Sequence, residues 1–362
     1  MIDAGLTSAS HTAIFEGAYE PYLWPVVAIW IFERFARLVR LVYCNLRLSS
    51  GHLTSTHTTA TYDKEADIVR IQVTQTSRML KPEPGQHYFL YQPMGWKGYE
   101  NHPLSLASWT ATEMPDSSRS SSSEIATAND KDLQVTISIP TDAQNPSTTH
   151  DALTFYARPY GSWTQRLRNE CLKSPTGSIN PTILLEGPYG HQSPLHRHEN
   201  VLLIVGGAGI TAALPYIHDH ILRKQTDSTK TRQLTLVWTT KQPAMIHTIA
   251  QRELRHALAH SDMDFHFFAT GKPLATTAQK DVSEQQHRDS ETAPQIAYGR
   301  PDIPSTIYNA VDSVAEAGTI GGGIAVLCCG PAAMADEARA TVAEAMRRKK
   351  VSAAYFEEAF GW

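Results

Sequence analysis

The chain has few cysteines, little net charge and no apolar run of membrane-spanning length. Its four cysteines, Cys44, Cys171, Cys328 and Cys329, form no Cys-x-x-Cys pair and no metal-ligand spacing, and the last two are adjacent. Adjacent cysteines seldom suit a structural disulfide, so the cysteine pattern favours the cytosol and predicts no metal site. A formal net charge of -4, with basic residues spread along 362 residues, excludes nucleic-acid binding across the whole surface.

One strongly apolar, aromatic run stands near the N-terminus, at residues 22–32, and Arg34, Arg37, Arg40 and Arg47 follow it. A spanning helix needs ~20 apolar residues, and this run has about half that number. The arginines are typical of a cytoplasmic membrane flank, and they would also suit an amphipathic helix lying on lipid. A buried first helix packed on the next domain is the third interpretation. No cleavable signal peptide is predicted, because a basic start before an apolar core is missing.

Short alternating segments predict β-strands in the first half of the chain. They lie at residues 68–73, 87–91, 133–139, 153–157 and 182–186. The polar stretch 49–61 is predicted to be a linker, and the stretch 117–132, rich in Ser, Asp and Asn, a disordered insertion. Residues 55–195 are therefore predicted to form one antiparallel β-domain with a barrel architecture.

The second half of the chain predicts buried strands that alternate with helices. The strands lie at residues 201–205, 234–238 and 324–328, one helix runs through residue 222, and another covers residues 332–348. Such alternation is typical of an open parallel sheet. Residues 196–362 are therefore predicted to form an α/β domain, with a polar loop at 271–295.

The strongest local motif is the sequence from His102 to Ser105, with Ser108 three residues later. Proline fixes the backbone at a turn, and a nearby small hydroxyl can hydrogen-bond a flavin nitrogen without blocking hydride approach. The motif resembles the flavin motif of the ferredoxin-NADP reductase superfamily, in the His-Pro form of ferric reductases and NADPH oxidases. The resemblance implies that Ser105 faces flavin N5, that His102, Pro103 and Leu104 lie beside the isoalloxazine and that Ser108 supports the loop. The alternative is a proline-stiffened strand end with incidental serines.

A second motif covers residues 158–164, where a predicted strand meets a predicted helix. Backbone N–H groups at a helix start, a glycine and a hydroxyl together can hold an anion. In the same superfamily the corresponding segment holds the FAD diphosphate, which implies this role for Gly161, Ser162, Trp163 and Thr164. Alone, a glycine before a capped helix is common structure.

A glycine-rich turn joins the first strand and helix of the predicted α/β domain. It contains Gly206, Gly207, Gly209, Ile210 and Thr211, in the strand-to-helix context that a dinucleotide site requires. The turn departs from GxGxxG and resembles the Gly-Gly-x-Gly-Ile/Val-Thr nicotinamide motif of the superfamily. The resemblance implies that the glycines admit the nucleotide pyrophosphate and that Thr211 hydrogen-bonds it. A glycine-rich turn without a ligand is the alternative.

Further residues match the nucleotide site of the superfamily in order. The resemblance places Arg300 near the nucleotide ribose or phosphate, and Cys329, Gly330 and Pro331 beside the nicotinamide. Lys241 follows the second strand and is the candidate for a 2′-phosphate, which favours NADPH and leaves NADH open. A lysine after a strand is also commonly a solvated surface charge.

Both ends of the chain resemble fungal ferric reductases. Residues 355–362 are similar to their C-terminal aromatic string, which implies that Phe360 covers the isoalloxazine until nicotinamide displaces it; a strand pinned into the sheet by aromatics is the alternative. Residues 1–50 are interpreted as an apolar and basic segment that resembles the end of the last membrane helix. The family carries two haems on upstream membrane helices, and the sequence contains no such helices.

The resemblance therefore implies a membrane-associated protein whose catalytic domains face the cytosol. FAD would take hydride from NADPH, and single electrons would pass to a ferric chelate, a haem-bearing membrane partner or another one-electron acceptor. One alternative is a soluble NAD(P)H diaphorase or tailoring reductase that acts on an organic substrate or a partner protein. The other is a non-catalytic relic that keeps only the fold.

Overall fold

The computed structural model describes residues 20–49, 52–74, 81–93, 99–110, 152–272, 294–316, 323–349 and 352–358. The strand predicted at 133–139 and the insertion predicted at 117–132 lie outside the described residues. The predicted domain limits at residues 55, 195 and 196 stay predictions.

Along the chain, a first helix and a run of strands precede a stretch in which strands and helices alternate. Helix α1 covers Glu20–Asn45, and the strands of the first half are β1 Leu46–Ser49, β2 His52–Ser55, β3 His57–Asp63, β4 Ile68–Thr74, β5 His87–Pro93, β6 Tyr99–Ser105, β7 Ser108–Thr110 and β8 Ala152–Ala157. Helix α2, Ser162–Lys173, is followed by β9 Ser178–Ile179, β10 Leu184–Tyr189, β11 Asn200–Gly206, α3 Ile210–Gln225, β12 Gln233–Thr240 and α4 Pro243–Arg252. The remaining elements are β13 Met263–Ala269, β14 Ile296–Tyr298, α5 Ile303–Glu316, β15 Ile324–Cys329, α6 Ala332–Lys349 and β16 Ala353–Glu357.

Strands β3 to β10, with α2, form what we call the antiparallel region. One sheet has the order β7-β8-β4-β3-β9 and the other the order β10-β5-β6, and the pairings are antiparallel. Both sheets and α2 enclose one core, where Tyr88 meets Phe155 edge-on at 5.6 Å between ring centroids and Trp163 is fully buried. The antiparallel β-architecture predicted from the alternating segments is confirmed.

The linker predicted at residues 49–61 is wrong, because strands β2 and β3 occupy much of it. Strand β3 pairs with β4 over seven residue pairs, from His57 with Thr74 to Asp63 with Ile68. Thr58 and Ala60 are buried, whereas Thr59 and Thr61 are half-buried, so threonines that appear polar in the sequence occupy both faces of a strand. Threonine is β-branched and favours strands.

Strands β11 to β16, with helices α3 to α6, form the parallel region. The sheet order is β14-β13-β12-β11-β15-β16, and every pairing is parallel. Alternate residues of β11 face two cores: Val201, Leu203 and Val205 pack with α3 and α4, whereas Leu202 and Ile204 pack with α5 and α6. Because β11 is covered on both faces, it is a continuous apolar run. The predicted alternation of strands and helices around an open parallel sheet is confirmed.

The two regions share part of a core. Ala66, Ile68, Ala107 and Tyr156 of the antiparallel region are buried in the cluster formed mainly by α3, α4 and the parallel sheet. Helix α4 adds two polar contacts. The Thr248 hydroxyl donates to Asp63 Oδ2 at 2.9 Å, and the Tyr156 hydroxyl donates to Oε1 of Glu253, the residue that caps the end of α4, at 2.7 Å. The regions are therefore docked by both apolar and polar contacts.

The end of helix α1 is fixed to strand β10. The Asn45 side chain accepts a hydrogen bond from Leu185 N at 2.8 Å and donates one to Leu185 O at 2.6 Å, as a neighbouring strand would. Arg40 donates to the Pro188 carbonyl at 2.8 Å. Arg37 lies 3.9 Å from the fully buried carboxylate of Glu186. The last two turns of α1 are therefore part of the folded antiparallel region.

The rest of helix α1 does not pack on the described residues. Its large apolar side chains are exposed, with Trp24 at 65%, Ile29 at 68% and Phe32 at 71%. This exposure contradicts the interpretation of α1 as a wholly buried first helix. Within the described ranges, no helix combines the length and apolar character needed to cross a membrane.

Candidate functional site

The glycine-rich turn lies at the centre of the parallel sheet, between strand β11 and helix α3. The chain leaves β11 at Gly206, makes one 3-10 turn over Gly207–Gly209 and enters α3 at Ile210. A Cβ on Gly209 would lie 2.4 Å from the Cys329 carbonyl oxygen, and one on Gly206 would lie 2.9 Å from Pro331 Cδ. These predicted site residues meet because β11 and β15 are neighbours in the sheet.

Two residues of this turn are engaged within the protein. The Ile210 side chain is fully buried in the core, so it can contribute only its backbone to a ligand. The Thr211 hydroxyl donates to the Ala208 carbonyl at 2.9 Å. Since a hydroxyl carries one proton, Thr211 would have to leave this carbonyl to donate to a pyrophosphate, and its predicted role stays a prediction.

A cavity of about 440 Å³ opens beside the glycine-rich turn. Five predicted residues line it: Gly206, Gly207, Lys241, Arg300 and Pro331. Its walls are the ends of strands β11 and β12 and the start of helix α6, beside the point where the strand order reverses. Ligands of open α/β sheets bind at this kind of crevice. Lys241 and Arg300 are exposed, so both cations are free to meet a phosphate.

Other residues of this cavity were not predicted from the sequence. They are Thr239, Thr240, Thr270, Pro301, Ile303, Ala333, Met334 and Glu337. Met334 packs against the glycines, since a Cβ on Gly330 would lie 2.1 Å from Met334 Cε. The consecutive threonines at the end of β12 could have been predicted as site residues from the sequence, because small hydroxyl side chains at strand ends suit a polar ligand.

The two adjacent cysteines at the end of β15 face opposite sides of the sheet. Cys328 belongs to the core under α5 and α6, and Cys329 belongs to the core on the other face, where its Sγ would lie 3.0 Å from a Cβ on Gly209. Burial raises the pKa of the Cys329 thiol, and the nearby Glu358 carboxylate raises it further. Cys329 is therefore a neutral thiol, which suits a shaping role and not a nucleophilic one.

In the antiparallel region, the predicted flavin motif forms strand β6 and the crossing that follows it. Ser105 pairs with His87 at the end of β6, and Pro103 pairs with Phe89. The next two residues are buried and carry the chain to the other sheet, where Ser108 begins β7. This crossing is fixed by the Leu106 amide, which donates to the Gln86 carbonyl at 3.0 Å.

His102 and Trp163, predicted from separate motifs, are in contact. The two rings stack with centroids 4.8 Å apart and planes 13° apart. Trp163 is fully buried, and its Nε1 donates to Gln92 at 2.6 Å. Trp163 therefore supports the His102 ring from below, while Leu104 packs against the core. His102 Nε2 also lies 3.1 Å from Glu100.

The second predicted motif forms the start of helix α2. Gly161 is the N-cap, its amide donates to Thr164 Oγ1 at 3.2 Å, and that hydroxyl lies 3.3 Å from the Gly161 carbonyl. The Ser162 side chain lies outside the described part of the structure. The positive end of the α2 dipole makes this helix start suitable for an anion.

Arg158, four residues before the first residue of helix α2, was not predicted as a site residue. Its guanidinium lies 5.2 Å from the Tyr160 ring centroid and donates to Gln242 of the parallel region. Its Nε is buried and has no hydrogen-bond partner among the described residues. A buried charged donor without a partner is costly, so this atom marks a place where an anion would be stabilising.

Comparison with known proteins assigns this arrangement to a family. Residues 198–343 match the ferric reductase NAD binding domain. The chain is 23% identical over 362 residues to ferric reductase transmembrane component 3 of Saccharomyces cerevisiae, covering 94% of this chain and 43% of that protein. It is 30% identical over 273 residues to a probable cell surface ferric reductase of Aspergillus oryzae, covering 73% of this chain and 31% of that protein.

The chain belongs to the fungal ferric reductase family. It spans less than half the length of these two relatives. Among solved structures, a ferredoxin NADP+ reductase from Neisseria gonorrhoeae, with bound FAD and NADP, superposes with a TM-score of 0.51 at 13% identity, covering 84% of this chain and 98% of that one. At this identity the superposition shows a common fold.

The C-terminal strand of this ferric reductase family member adds one acidic residue to the site. Glu358 N donates to the Cys328 carbonyl at 3.0 Å, and the Glu358 carboxylate accepts a hydrogen bond from Tyr216 Oη at 3.0 Å. Burial raises the pKa of Glu358 to about 7, although the Tyr216 hydrogen bond opposes the shift. Glu357 instead faces solvent beside Arg339. Phe360 lies outside the described residues, and its predicted place on the flavin stays a prediction.

Proposed function

We propose that the chain takes hydride from NADPH onto FAD and releases electrons singly to a ferric chelate or another one-electron acceptor. The observation that carries this proposal is the meeting of Lys241 and Arg300, which follow separate strands of the sheet, at a glycine-walled cavity in the ferric reductase NAD binding domain. Two cations on one cavity suit the 2′-phosphate and pyrophosphate of NADPH. NADH lacks the 2′-phosphate.

The described residues fit both cofactors. A cavity of about 440 Å³ beside a turn rich in glycine suits a dinucleotide. For FAD, the start of helix α2 and the unpaired Nε of Arg158 offer donors to a diphosphate. When bound, FAD would supply the conversion of a two-electron hydride donor into a one-electron donor.

In this proposal the residues of the chain position the reactants. His102, supported by Trp163, would bound the flavin pocket, and Ser105 would hydrogen-bond flavin N5. Cys329, a small neutral thiol, would leave room for the nicotinamide, and Gly330 and Pro331 would shape the pocket beside it. The side chains need not abstract a proton, because hydride transfer requires alignment and exclusion of water.

We also propose that helix α1 places the protein on a membrane with its catalytic part facing the cytosol. The exposed apolar side chains of α1 and the exposed Arg34 among them support binding to an anionic lipid surface. Flotation with phosphatidylserine vesicles tests this, with the double variant Trp24→Asp, Phe32→Asp expected to stay with the unbound protein. Equal flotation of the variant would contradict the proposal.

The reductase proposal is tested with purified protein reconstituted with FAD under anaerobic conditions. NADPH is expected to bleach the flavin absorbance, and a ferric chelate is expected to restore it. Restoration by quinones but not by ferric chelates would instead favour a diaphorase. Failure to bind FAD, or flavin that stays oxidised with NADPH, would favour the non-catalytic relic.

A further inference from the structure

Two loops that serve different cofactors in the proposed function meet at one hydrogen bond. Arg158 stands in the antiparallel region, just before the helix start proposed to hold the FAD diphosphate, and donates to Gln242 Oε1. Gln242 belongs to the parallel region and directly follows Lys241, the residue proposed to hold the 2′-phosphate. Gln242 is the N-cap of α4 but makes no side-chain cap hydrogen bond. Its side chain reaches across to Arg158 instead.

The turn that carries Lys241 and Gln242 is tightly held. The Thr270 amide donates to the Thr240 carbonyl at 2.9 Å, and a Cβ on Gly271 would lie 2.1 Å from the Lys241 carbonyl oxygen. Beyond the turn, helix α4 is tied to the antiparallel region through Thr248. Because the turn has so little space, an anion that fixes Lys241 also restricts Gln242.

Arg158 has guanidinium N–H groups that the hydrogen bond to Gln242 does not use. A guanidinium offers five N–H groups in a fixed plane, and one of them is used on Gln242. Its buried Nε is unpaired among the described residues. Since the guanidinium is planar, holding one Nη fixes the direction of the remaining donors. Gln242 thereby orients a cation that lies beside the helix start proposed to hold the FAD diphosphate.

We propose that the Arg158–Gln242 hydrogen bond couples the two cofactor sites, so that a 2′-phosphate bound at Lys241 strengthens FAD binding, and FAD strengthens 2′-phosphate binding to the same degree. This reciprocity is a thermodynamic requirement of coupled sites. The inference rests on the proposed function, because it assumes FAD at the 158–164 segment and a 2′-phosphate at Lys241. Gln242 is a positioning residue, since it acts through Arg158.

The test uses 2′,5′-ADP, which carries the 2′-phosphate but has no nicotinamide to touch the flavin. FAD is titrated into the apoprotein and followed by flavin fluorescence, without and with saturating 2′,5′-ADP. In the wild type, 2′,5′-ADP is expected to lower the FAD dissociation constant by about fivefold, the lower end of ordinary coupling, whereas 5′-AMP leaves it unchanged. The ratio of the two constants, and not either constant alone, is the readout.

The decisive variant is Gln242→Ala, in which the ratio is expected to fall to about one while each ligand still binds separately. Thr248→Val is the matched control, because it removes another hydrogen bond between the two regions and is expected to keep the wild-type ratio. The melting temperature of each variant is measured in parallel to confirm that it is folded.

Three results would overturn the coupling: a ratio of one in the wild type, an unchanged ratio in Gln242→Ala, or an equal loss in Thr248→Val. The last result would show that coupling depends on any contact between the parallel and antiparallel regions, and not on the Arg158–Gln242 hydrogen bond in particular. If the wild type bound neither FAD nor 2′,5′-ADP, no titration curve would appear. That outcome overturns the proposed function, and the coupling with it.

Discussion

The parallel and antiparallel regions build their parts of the site by different physical means. In the parallel region, the space around the backbone determines which residue is allowed. Gly209 must lack a side chain because the Cys329 carbonyl oxygen is 2.4 Å from where a Cβ would lie. In the antiparallel region, contacts between side chains shape the candidate site. The His102 ring stacks on Trp163, and Trp163 donates a hydrogen bond to Gln92. The proposed nucleotide site should therefore lose stability or binding abruptly on substitution, and the proposed flavin site should lose binding gradually.

The largest expected effect comes from Gly209→Ala, which forces a methyl group against the end of strand β15. We expect the free energy of unfolding to fall by about 3 kcal/mol or more, because the Cys329 backbone is fixed in the sheet and the Gly209 backbone is fixed in the turn that leads into α3. The control is Gly207→Ala: its Cβ would meet nothing within 4 Å, and only its φ of 56° imposes strain, about 1 kcal/mol. Urea denaturation measures both, and equal losses would contradict the role of clearance at Gly209.

The next effect concerns Glu358, which follows strand β16 and contacts Tyr216 and Cys328 of the parallel region. Its pKa is raised to about 7 by burial, so between its ordinary value of 4.5 and 7 the folded chain keeps a proton that the unfolded chain has lost. The free energy of unfolding should therefore fall as pH rises through this window, by up to about 3 kcal/mol in total.

The variant Glu358→Gln should lose this slope and be more stable than the wild type at pH 8. The control Glu357→Gln, at the exposed neighbouring position, should keep the slope. Denaturation at several pH values measures both variants. Identical pH profiles for the two would contradict the assignment of the slope to Glu358.

A smaller effect is expected for Lys241→Ala, which removes a cation from the nucleotide cavity. Loss of one charge-assisted contact should raise the KM for NADPH about tenfold, and the KM for NADH should be unchanged because NADH has no 2′-phosphate. Lys173→Ala, at an exposed lysine at the end of helix α2, is the control. Steady-state kinetics with both nucleotides measures the ratio, and an equal change for NADH would show that Lys241 does not recognise the 2′-phosphate.

The smallest and most graded effect is expected in the flavin part. His102→Ala should weaken FAD binding by at most about tenfold, the contribution of one aromatic stack, and leave 2′,5′-ADP binding unchanged. His102→Phe keeps a ring on Trp163 and should recover most of the loss. Flavin fluorescence titration measures both. Complete loss of FAD binding in His102→Phe would show that the imidazole, and not the stack, is essential.

The same contrast explains which features the sequence could predict. Buried parallel strands are continuous apolar runs, so β11, β12 and β15 were found to within two residues at each end. The glycine-rich turn was found because its glycines stand between a buried strand and a helix, and the structure shows that a Cβ would be too close to its neighbours at Gly206 and Gly209. Strands β2 and β3 were missed because they are rich in threonine and histidine and resemble a linker until their partners are known, which are β1 for β2 and β4 for β3.

Contacts between distant residues could not be predicted from local patterns. Arg158 and Gln242 are 84 positions apart in the chain, and nothing near either residue indicates the other. Likewise, the burial of Glu186 is explained by distant partners. Tyr91 and Tyr189 donate hydrogen bonds to its carboxylate, and Arg37 lies beside it. Such contacts depend on how the sheets and helices pack.

The two regions together are proposed to form one hydride-transfer site, and anaerobic stopped-flow absorbance tests this most directly. FAD-reconstituted protein is mixed with NADPH or with NADPH deuterated at the transferred position of C4. We predict that NADPH bleaches the flavin and that deuterium lowers the rate of bleaching. The Ser105→Ala variant should lower this rate further, whereas Ser108→Ala should not. Bound FAD that NADPH cannot bleach would contradict a shared hydride-transfer site.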